Sequence, residues 1–327
     1  MRVVVNGRFT DKERGFYENS SLSRQVRSHY YTTENFKRYQ TEYLEKDFED
    51  LSFTIFNQND PLVSVAVMAE FGQYSFFNFP IRTYVAPGIK GAEILMAMSL
   101  VKKQMVADCK SRGVERVLFY ENEFLNKCFQ DKIEKVHLIK HYYIDLSFEE
   151  NEIKNKVRKS YKSLINWGLK NLRTIIVDRS SPSEELFEQF RQFHIEVAGR
   201  ETRSKRSWDI QYEMLKEGET SLVLCYLDER LVSGAMCMNG LEVGYYGIAI
   251  NNREMMAEKT PLGHWPVIAS AQLAKKQGLK KYTMCEVNHT IYGNYINDEE
   301  KWKQIELFKS GFATSMEFIN VPEVIIN

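Results

Sequence analysis

The densest group of side chains that could move protons lies around residues 281–295. The pattern KYTMCEV (281–287) predicts a β-strand, and alternation along it separates Glu286 from its buried neighbours. Four polar residues follow the strand: Asn288, His289, Tyr292 and Tyr295. The carboxylate or the imidazole could take a proton from an attacking group, and a tyrosine could give one to a leaving group. The alternative reading is that this face of the strand is only exposed to solvent.

A second candidate feature is a helix start at Thr260–Pro261. A hydroxyl N-cap followed by proline is typical of a helix N-terminus. The backbone amides of Leu262, Gly263 and His264 would then point outward at the positive end of the helix dipole, where phosphate groups bind. Gly263 would also let a ligand approach the backbone closely. Most such starts are only caps, so this feature predicts a phosphate site only when the fold supports it.

Basic side chains form a first cluster between residues 153 and 177, which hold no acid. A helical period puts Tyr161 on an apolar face and stacks Lys154, Arg158 and Lys162 as a basic stripe beside Lys159. Like charges at this spacing repel by about 0.2–0.5 kcal/mol per pair, and an anionic partner would relieve that cost. Taken alone, this basic run is equally typical of a helix face that is exposed to solvent and binds no partner.

A second basic cluster is GRETRSKRSW, which we interpret as a loop between helices. Arginine forks suit phosphate oxygens, and a neighbouring tryptophan could stack on a base or a sugar. The residues concerned are Arg200, Arg203, Arg206 and Trp208. Two basic clusters in one half of a neutral chain indicate a compact polyanion, such as a nucleotide diphosphate, rather than a long nucleic acid.

The composition is that of an ordinary globular protein. The chain has 327 residues, 43% of them hydrophobic, and 44 basic side chains balance 44 acidic ones. Zero net charge argues against a nucleic-acid coat protein, and no apolar run is long enough to span a membrane. The five cysteines form no CxxC pair, and no His/Cys cluster is present. We therefore expect a cytoplasmic protein with reduced cysteines and no metal.

The elements that must position these residues are repeated along the chain. Three strands, a long helix ending in Gly113 and a further strand are predicted from residue 51 to 120, with the third strand at 73–79. The same order is predicted from 220 to 287, with strands at 220–227, 230–238 and 241–250 and a helix at 261–278. Repetition predicts a tandem duplication, with units 1–147 and 148–327.

The β-β-β-α-β unit resembles the GCN5-related acetyltransferase fold, and two copies in one chain resemble FemAB-type peptidyltransferases. Three segments carry local resemblances. EIKNKVRKSYKSLINWGLKNLRTIIV (152–177) is similar to a FemAB-type segment, and IELFKSGFATSMEF (305–318) to the last helix and strand of the acetyltransferase fold. FHIEVAGRETRSKRSWDIQ (193–211) is similar to a segment of FemAB-like N-acyltransferases of nucleotide-linked amino sugars. The resemblance implies a mixed α/β sheet in two acetyltransferase-like units, the first being a scaffold.

The resemblance also implies a site. The donor would be acyl-coenzyme A, held by the helix start at Thr260 and by the strand that contains Tyr246 and Ile248. Asn288 matches the asparagine that, in this fold, contacts the pantetheine arm or helps to position the thioester. Two positions depart from the family pattern: REMMAEKTPLG replaces the glycine-rich pyrophosphate loop, and Phe308 replaces the usual tyrosine acid.

The function that follows is acylation of an amino group on a nucleotide-linked amino-deoxysugar, with dTDP as the favoured nucleotide, for surface polysaccharide synthesis. The alternative is a FemAB-type transferase that uses aminoacyl-tRNA to extend peptidoglycan precursors. A non-catalytic member of the fold is a third hypothesis, because two motifs are missing. The aromatic stretch 27–43 is expected to pack on the first half or to form a homodimer contact.

Overall fold

The computed structural model describes residues 1–287 and 299–326. The first half opens with a short strand and three helices, which lead into a strand-rich unit. Its strands are β1 (Arg2–Val5), β2 (Glu49–Asp50), β3 (Phe53–Asn57), β4 (Asp60–Ala66), β5 (Met68–Ala69), β6 (Arg82–Val85), β7 (Arg116–Leu118) and β8 (Ile133–Asp145). Its helices are α1 (Asp11–Glu18), α2 (Ser21–Val26), α3 (Glu34–Leu44), α4 (Ala92–Ser111) and α5 (Glu123–Cys128).

The second half repeats the unit with more helical cover. Its strands are β9 (Arg173–Val177), β10 (Thr220–Leu227), β11 (Arg230–Asn239), β12 (Val243–Asn251), β13 (Lys281–Val287) and β14 (Ser315–Ile325). Its helices are α6 (Glu150–Lys156), α7 (Tyr161–Asn171), α8 (Glu184–Ala198), α9 (Lys205–Glu217), α10 (Arg253–Ala257), α11 (His264–Lys276) and α12 (Glu299–Ser310).

The predicted element order is confirmed in the second half, where β10, β11, β12, α11 and β13 follow one another as expected. In the first half the predicted third strand at 73–79 is wrong. That segment forms turns, because Phe77 and Asn78 have positive φ angles of 54° and 67°, which an extended strand does not contain. The strand in this position is β6, which begins at Arg82.

One eight-stranded sheet runs through both halves in the order β7-β14-β8-β13-β12-β11-β10-β9. The last strand of the first half, β8, lies between β13 and β14 and is antiparallel to both. The last strand of the second half, β14, lies between β8 and β7. Each half therefore gives its final strand to the sheet of the other half. We call this arrangement the reciprocal strand exchange. The eight-stranded sheet contains strands from both sides of the predicted boundary between 1–147 and 148–327. The division into these two domains therefore stays a prediction.

Helices cover both faces of the sheet in the second half. Alternation along β10 sends Val223 to the face under α7 and α11, and Leu222 and Leu224 to the face under α8 and α9. Because both faces are covered, the strand reads as a nearly continuous apolar run, TSLVLCYL. In the first half a four-stranded sheet, β1-β3-β4-β6, packs against α4.

The aromatic N-terminal segment (residues 27–45) contacts both halves. Tyr30 stacks on Tyr245 of β12 with ring centroids 5.1 Å apart, and Tyr31 packs 5.8 Å from Phe79 of the first half. A Cβ atom on Gly240 would lie only 2.4 Å from the carbonyl oxygen of Ser28, so this close approach requires glycine. The expected contact with the first half is present, the segment also joins the second half, and the homodimer stays a prediction.

Candidate functional site

The second half has a gap between two parallel strands at its centre. β12 and β13 pair only from 243–245 to 281–283. Beyond that point β13 continues along β8, while β12 continues along β11 to Asn251. In β12, Tyr246 lies opposite Cys237 and Ile248 opposite Met236, so Gly247 is an extra residue. A bulge of this kind leaves backbone groups outside the ladder, and here it lies at the gap.

The bulge sends the two donor-binding candidates on β12 to opposite faces of the sheet. Tyr246 is 3% exposed and packs in the core under α7 and α11, where burial raises the pKa of its phenol. Ile248 is 6% exposed and packs in the core under α8 and α9. Both side chains are core residues, so at these two positions a ligand could contact only the backbone.

The helix start predicted at Thr260–Pro261 is wrong by about one turn. α11 begins at His264, and its N-cap is Gly263, which makes no side-chain cap. The loop before it is closed on itself: the amide of Thr260 donates to the carbonyl of Met255, and the amide of Leu262 donates to the carbonyl of Thr260, each at 2.9 Å. The Leu262 amide, expected to be free, is therefore used, and its side chain is fully buried.

The amides left at this helix end are those of Gly263, His264 and Trp265. The first amides of a helix have no intrahelical acceptor, and the next residue, Pro266, has no amide hydrogen. The nearest atoms to a Cβ atom on Gly263 would belong to the side chain of Asn251 and the ring of Phe308, at 3.5 Å and 3.6 Å. The helix end therefore offers three donors, fewer than a glycine-rich loop followed by a helix would.

Four aromatic rings, three on helices and one in the turn after α12, form a wall beside these amides. The ring of His264 lies 4.7 Å from Tyr161, 5.4 Å from Phe308 and 5.8 Å from Phe312. We call these four residues the aromatic wall. Burial lowers the pKa of His264 to about 4, so the imidazole is neutral at physiological pH. The wall brings together the donor candidates Gly263, His264 and Phe308 with Tyr161, which the sequence placed on the acceptor side.

The basic run 153–177 is not one helix. α6 ends at Lys156 and α7 begins at Tyr161, so Lys154, Arg158 and Lys162 do not form the predicted stripe. The break is held by two hydrogen bonds of Arg158. Its amide donates to the carbonyl of Gly311 at 2.8 Å, and its Nη1 donates to the hydroxyl of Tyr161 at 3.0 Å. Arg158 therefore supports the aromatic wall, whereas Lys159 is exposed.

The second basic cluster joins α8 to α9 and continues into the first turn of α9, on the opposite face of the sheet from α7. The predicted stacking role of Trp208 is wrong, because its side chain is 1% exposed and packs in the core. The prediction treated this segment as a loop, but Lys205–Glu217 is a helix and Trp208 lies on its buried face. Arg200 is exposed, and Arg206 pairs with Glu42 of α3 at 3.4 Å.

Arg203 occupies an aromatic setting in this cluster. Its guanidinium lies 5.0 Å from the ring of Tyr43 and 5.4 Å from that of Trp208. Its Nε donates to the Tyr39 hydroxyl at 3.3 Å, and its Nη1 donates to Nε2 of His194 at 3.2 Å. Within the described residues no carboxylate pairs with Arg203 and its Nη2 makes no hydrogen bond. We call these five residues the Arg203 cluster.

Donors without acceptors accumulate in the Arg203 cluster. Nε2 of His194 accepts from Arg203, so in the neutral ring Nδ1 carries the proton. Burial, followed by the charge of Arg203, lowers the pKa of His194 to about 4. Nδ1 of His194 and Nε1 of Trp208 are buried without partners in the part of the chain that the structure describes. The cluster thus combines an uncompensated positive charge with unused N–H groups.

The sequence analysis missed residues that the structure places at the gap. Nζ of Lys309, which follows Phe308, lies 5.4 Å from the ring centroid of Tyr245 and 5.8 Å from that of Tyr246. Tyr30 covers the Tyr245 ring from the N-terminal segment. The sequence offered one indication that Lys309 belongs to the site: it directly follows Phe308, a position that departs from the family pattern. For Tyr30 it was only the aromatic richness of its segment.

The predicted proton-transfer residues lie at the end of β13 and in the sequence that follows it. The backbone of Glu286 pairs with His141 of β8, but its side chain lies outside the described part of the structure. Asn288, His289, Tyr292 and Tyr295 also lie outside the described residues.

The equivalent gap in the first half is occupied by side chains. β6 and β7 approach only through the bridge between Ile81 and Phe119. Arg82 and Tyr120 are the residues that follow this bridge, and the Arg82 guanidinium lies 3.9 Å from the centroid of the Tyr120 ring. The segment 87–91 that precedes α4 is exposed or half-buried. This half therefore presents a filled crevice.

Metal ions, membranes and reactive thiols would each need a further kind of site. Within residues 1–287 and 299–326, no group of three His, Cys, Asp or Glu side chains could hold a metal ion. Among the helices described, none is both long and apolar enough to cross a membrane. Cys109, Cys225 and Cys237 are buried free thiols, and burial raises the pKa of Cys225 to about 12, so that it is no nucleophile.

Comparison with solved structures identifies the fold. FemX aligns over 98% of this chain and 97% of its own, with a TM-score of 0.62 and 10% identity. The C-terminal domain of a protein described as a lysylphosphatidylglycerol synthetase from Agrobacterium fabrum aligns over 96% and 92%, with a TM-score of 0.59 and 10% identity. L-PGS from Bacillus licheniformis aligns over 88% and 90%, with a TM-score of 0.52 and 12% identity.

These matches define a fold class. The chain has the FemX-like fold, with two acetyltransferase-like units in tandem, and the predicted mixed α/β fold is confirmed. No family model matches the sequence, and no curated protein matches it. At about 10% identity the likeness concerns the fold alone, so the activity has to be argued from the site.

Proposed function

We propose that this chain is an N-acyltransferase that moves an acyl group from acyl-coenzyme A to the amino group of a nucleotide-linked amino-deoxysugar. The observation that carries this proposal is the asymmetry of the two halves. The gap between β12 and β13 lies beside a helix end whose first amides have no acceptor among the described residues, whereas Arg82 and Tyr120 fill the equivalent gap of the first half. One transferase centre in the second half follows from that difference.

The donor would bind at the start of α11. The amides of Gly263, His264 and Trp265, with the positive end of the helix dipole, suit pyrophosphate oxygens. The absence of a side chain on Gly263 allows the close approach that this contact needs. The pantetheine arm would follow the backbone of β12 toward the bulge at Gly247.

The acceptor's diphosphate would bind at the Arg203 cluster. Arg203 has a free Nη2 and no carboxylate partner among the described residues, and two buried N–H groups nearby need acceptors. Phosphate oxygens are acceptors without donors, so they match this set. Tyr43 is 39% exposed and is available to pack on a base or a sugar. Exposed Arg200 would add charge at the rim.

The chemical step would be aminolysis of a thioester at the gap. The amine nitrogen attacks the carbonyl carbon, a C–N bond forms as the C–S bond breaks, and the thiolate takes up the proton that the amine loses. The ammonium of Lys309 lies beside β12 and would stabilise the developing oxyanion. Glu286 or His289 would take this proton from the amine first, and the thiolate would receive it as it leaves. Positioning alone can supply roughly 7 kcal/mol or more of the barrier reduction.

A FemAB-type reaction with aminoacyl-tRNA is the second candidate. Two observations favour it: the FemX alignment covers nearly the whole of both chains, and the closed loop before α11 leaves only three amides for a pyrophosphate. The chemistry would be the same, with an ester in place of the thioester. Exposed Lys156, Lys159 and Lys170 would then contact phosphates of the RNA.

The test is thermal unfolding of the full chain with coenzyme A, a dTDP-sugar or bulk tRNA, at two salt concentrations. A ligand at 100 times its Kd stabilises the protein by about 2.7 kcal/mol. Stabilisation by coenzyme A and by the dTDP-sugar, followed by thiol release from an acyl-coenzyme A, is the expected result. Stabilisation by tRNA alone that disappears at high salt would contradict the N-acyltransferase proposal and support the reaction with aminoacyl-tRNA. No shift with any ligand would overturn both.

A further inference from the structure

His264 is the one histidine that the described structure places in the aromatic wall. It is the first residue of α11, next to the glycine that leaves the helix end open. The imidazole is held edge-on by Tyr161, with an interplanar angle of 80°, and by Phe308, with one of 75°. Rings on α7 and α12 thus fix the plane of the imidazole, and with it the directions in which its two nitrogens point.

The two ring nitrogens of His264 have different surroundings. Neither makes a hydrogen bond within the described residues. Nδ1 is fully buried, and Nε2 is not. A buried N–H group without an acceptor is among the rarest features of folded proteins, whereas an unused lone pair is better tolerated. The proton of the neutral ring therefore belongs on Nε2, and Nδ1 keeps its lone pair inside the wall.

The charged groups around the ring do not change this assignment. On α7 the titratable neighbour is Tyr161, which Arg158 holds by its hydroxyl. On α12 it is Lys309, one residue beyond Phe308, and Glu306 of the same helix accepts from Tyr142. Asn251 on β12 is uncharged. No carboxylate contacts the imidazole among the described residues, so nothing there favours a second proton.

We infer that His264 binds the acyl donor as a neutral hydrogen-bond donor, giving Nε2–H to a phosphate or carbonyl oxygen at the start of α11. This inference rests on the proposed function, because that function places the donor there. The imidazole adds a fourth N–H group to the three backbone amides and partly replaces the missing glycine-rich loop. Since the group carries no charge, its contribution does not change between pH 5.5 and pH 8.

The first test is nitrogen NMR of the full chain labelled with 15N-histidine. The signals of His264 are assigned by their loss in His264→Phe. We expect the Nε2–H tautomer at pH 7, no protonation down to pH 5.5, and a change in the Nε2 signal when coenzyme A is added. The Nδ1–H tautomer, or titration between pH 5.5 and pH 8, would overturn the inference, whatever ligand binds.

The second test compares two variants by donor affinity. His264→Phe keeps a ring in the wall but removes the donor, and we expect coenzyme A to bind about tenfold more weakly, the effect of one hydrogen bond. His264→Gln supplies an N–H group and should recover part of this loss. The pH dependence of binding should keep its shape in both variants.

The outcomes separate this inference from the function on which it rests. If His264→Phe binds coenzyme A as tightly as the unchanged protein while its melting temperature is unaltered, His264 is not a donor ligand and the inference is wrong. If the unchanged protein binds tRNA and not coenzyme A, the same variants are measured with tRNA at low salt. If the unchanged protein binds neither, the proposed function itself fails.

Discussion

His194 and His264 are both kept neutral by burial, on opposite faces of the same sheet. The pKa of each is lowered from 6.5 in the unfolded chain to about 4 in the folded one. Between these values the unfolded chain binds more protons, so stability falls as the pH drops from 6.5 to 4 and the loss is complete below 4.

This linkage gives a prediction at the scale of single residues. In His194→Gln and His264→Gln the free energy of unfolding should depend less steeply on pH between 6.5 and 4, because one titrating group is gone. Urea unfolding at four or five pH values measures the slope. An unchanged slope in both variants would show that these histidines titrate normally in the folded protein.

Arg203 provides a second residue-scale prediction. Arg203→Gln removes the uncompensated charge of its cluster, so binding of a dTDP-sugar should weaken by about tenfold or more, while coenzyme A binding should stay unchanged. Isothermal titration calorimetry measures both. Arg230→Gln is the matched control, because Arg230 is exposed and forms only a 3.9 Å ion pair with Glu196. Equal losses in the two variants would contradict a specific role for Arg203.

At the same scale, the structure brings some of the predicted site residues together and places others in the core. Gly263, His264, Phe308 and Tyr161 come together because the acetyltransferase-like element order fixes their neighbours. Trp208 was misread because GRETRSKRSW was taken as a loop, whereas Ser204 caps a helix that begins at Lys205. The N-cap Ser204 and the apolar period that begins four residues after it are only weak indications of a helix, because they lie inside a charged stretch.

At the scale of elements, the contact between α7 and α11 holds the aromatic wall in place. A Cβ atom on Gly168 of α7 would lie 2.3 Å from Cβ of Trp265, the second residue of α11. Both atoms are next to the backbone, so neither can rotate away. Trp265 is also fixed at its far end, where Nε1 donates to Thr174 at 2.8 Å. Small residues are what allow two helices to approach this closely.

Gly168→Ala should therefore destabilise the protein by about 1–3 kcal/mol, the usual effect of overpacking, and should weaken donor binding. Gly15→Ala in α1 is the matched control, because nothing lies within 4 Å of a Cβ there. Helix propensity predicts that the control is neutral or more stable by about 1 kcal/mol. Chemical denaturation measures both, and equal effects would argue against the close contact.

Helices and strands were predicted well where the apolar pattern was long. They were predicted poorly where backbone dihedral angles or a distant hydrogen bond determined the local structure. The strands β10 to β13 have clear patterns and distinct turns. The segment 73–79 has a strand-like composition, yet positive φ angles at Phe77 and Asn78 fold it into turns. The break between α6 and α7 depends on a hydrogen bond to Gly311, which is more than 150 residues away in sequence and leaves no local signal.

At the scale of the whole molecule, the two halves are not independent bodies. In the shared sheet β14 and β8 are the second and third strands from the β7 edge, and each is paired with a strand of the other half. Two histidine–carboxylate pairs link β8 to β14: His137 with Glu323 at 2.7 Å and His141 with Glu317 at 2.8 Å. The duplication was visible in the sequence, but a strand pattern does not say which strand will be its neighbour.

The reciprocal strand exchange predicts that fragments 1–147 and 148–327 do not fold alone, because each lacks one strand of its sheet. Mixed in equal amounts, they should form a complex with restored strand content and a cooperative melt. Circular dichroism and size-exclusion chromatography of each fragment and of the mixture measure this. Native-like melting of either fragment alone would show that its sheet is complete without the exchange.

The exchange also sets an order of events during synthesis of the chain. β8 emerges from the ribosome long before its partner strand β14 exists, with which it pairs through ten residues, 315–324. At roughly 5–20 residues per second the interval is on the order of 10–30 s. During that time β7 and β8 present open edges, which are sites of mispairing with other chains. A nascent first half of this protein is therefore a natural client for chaperones that bind unfinished sheets.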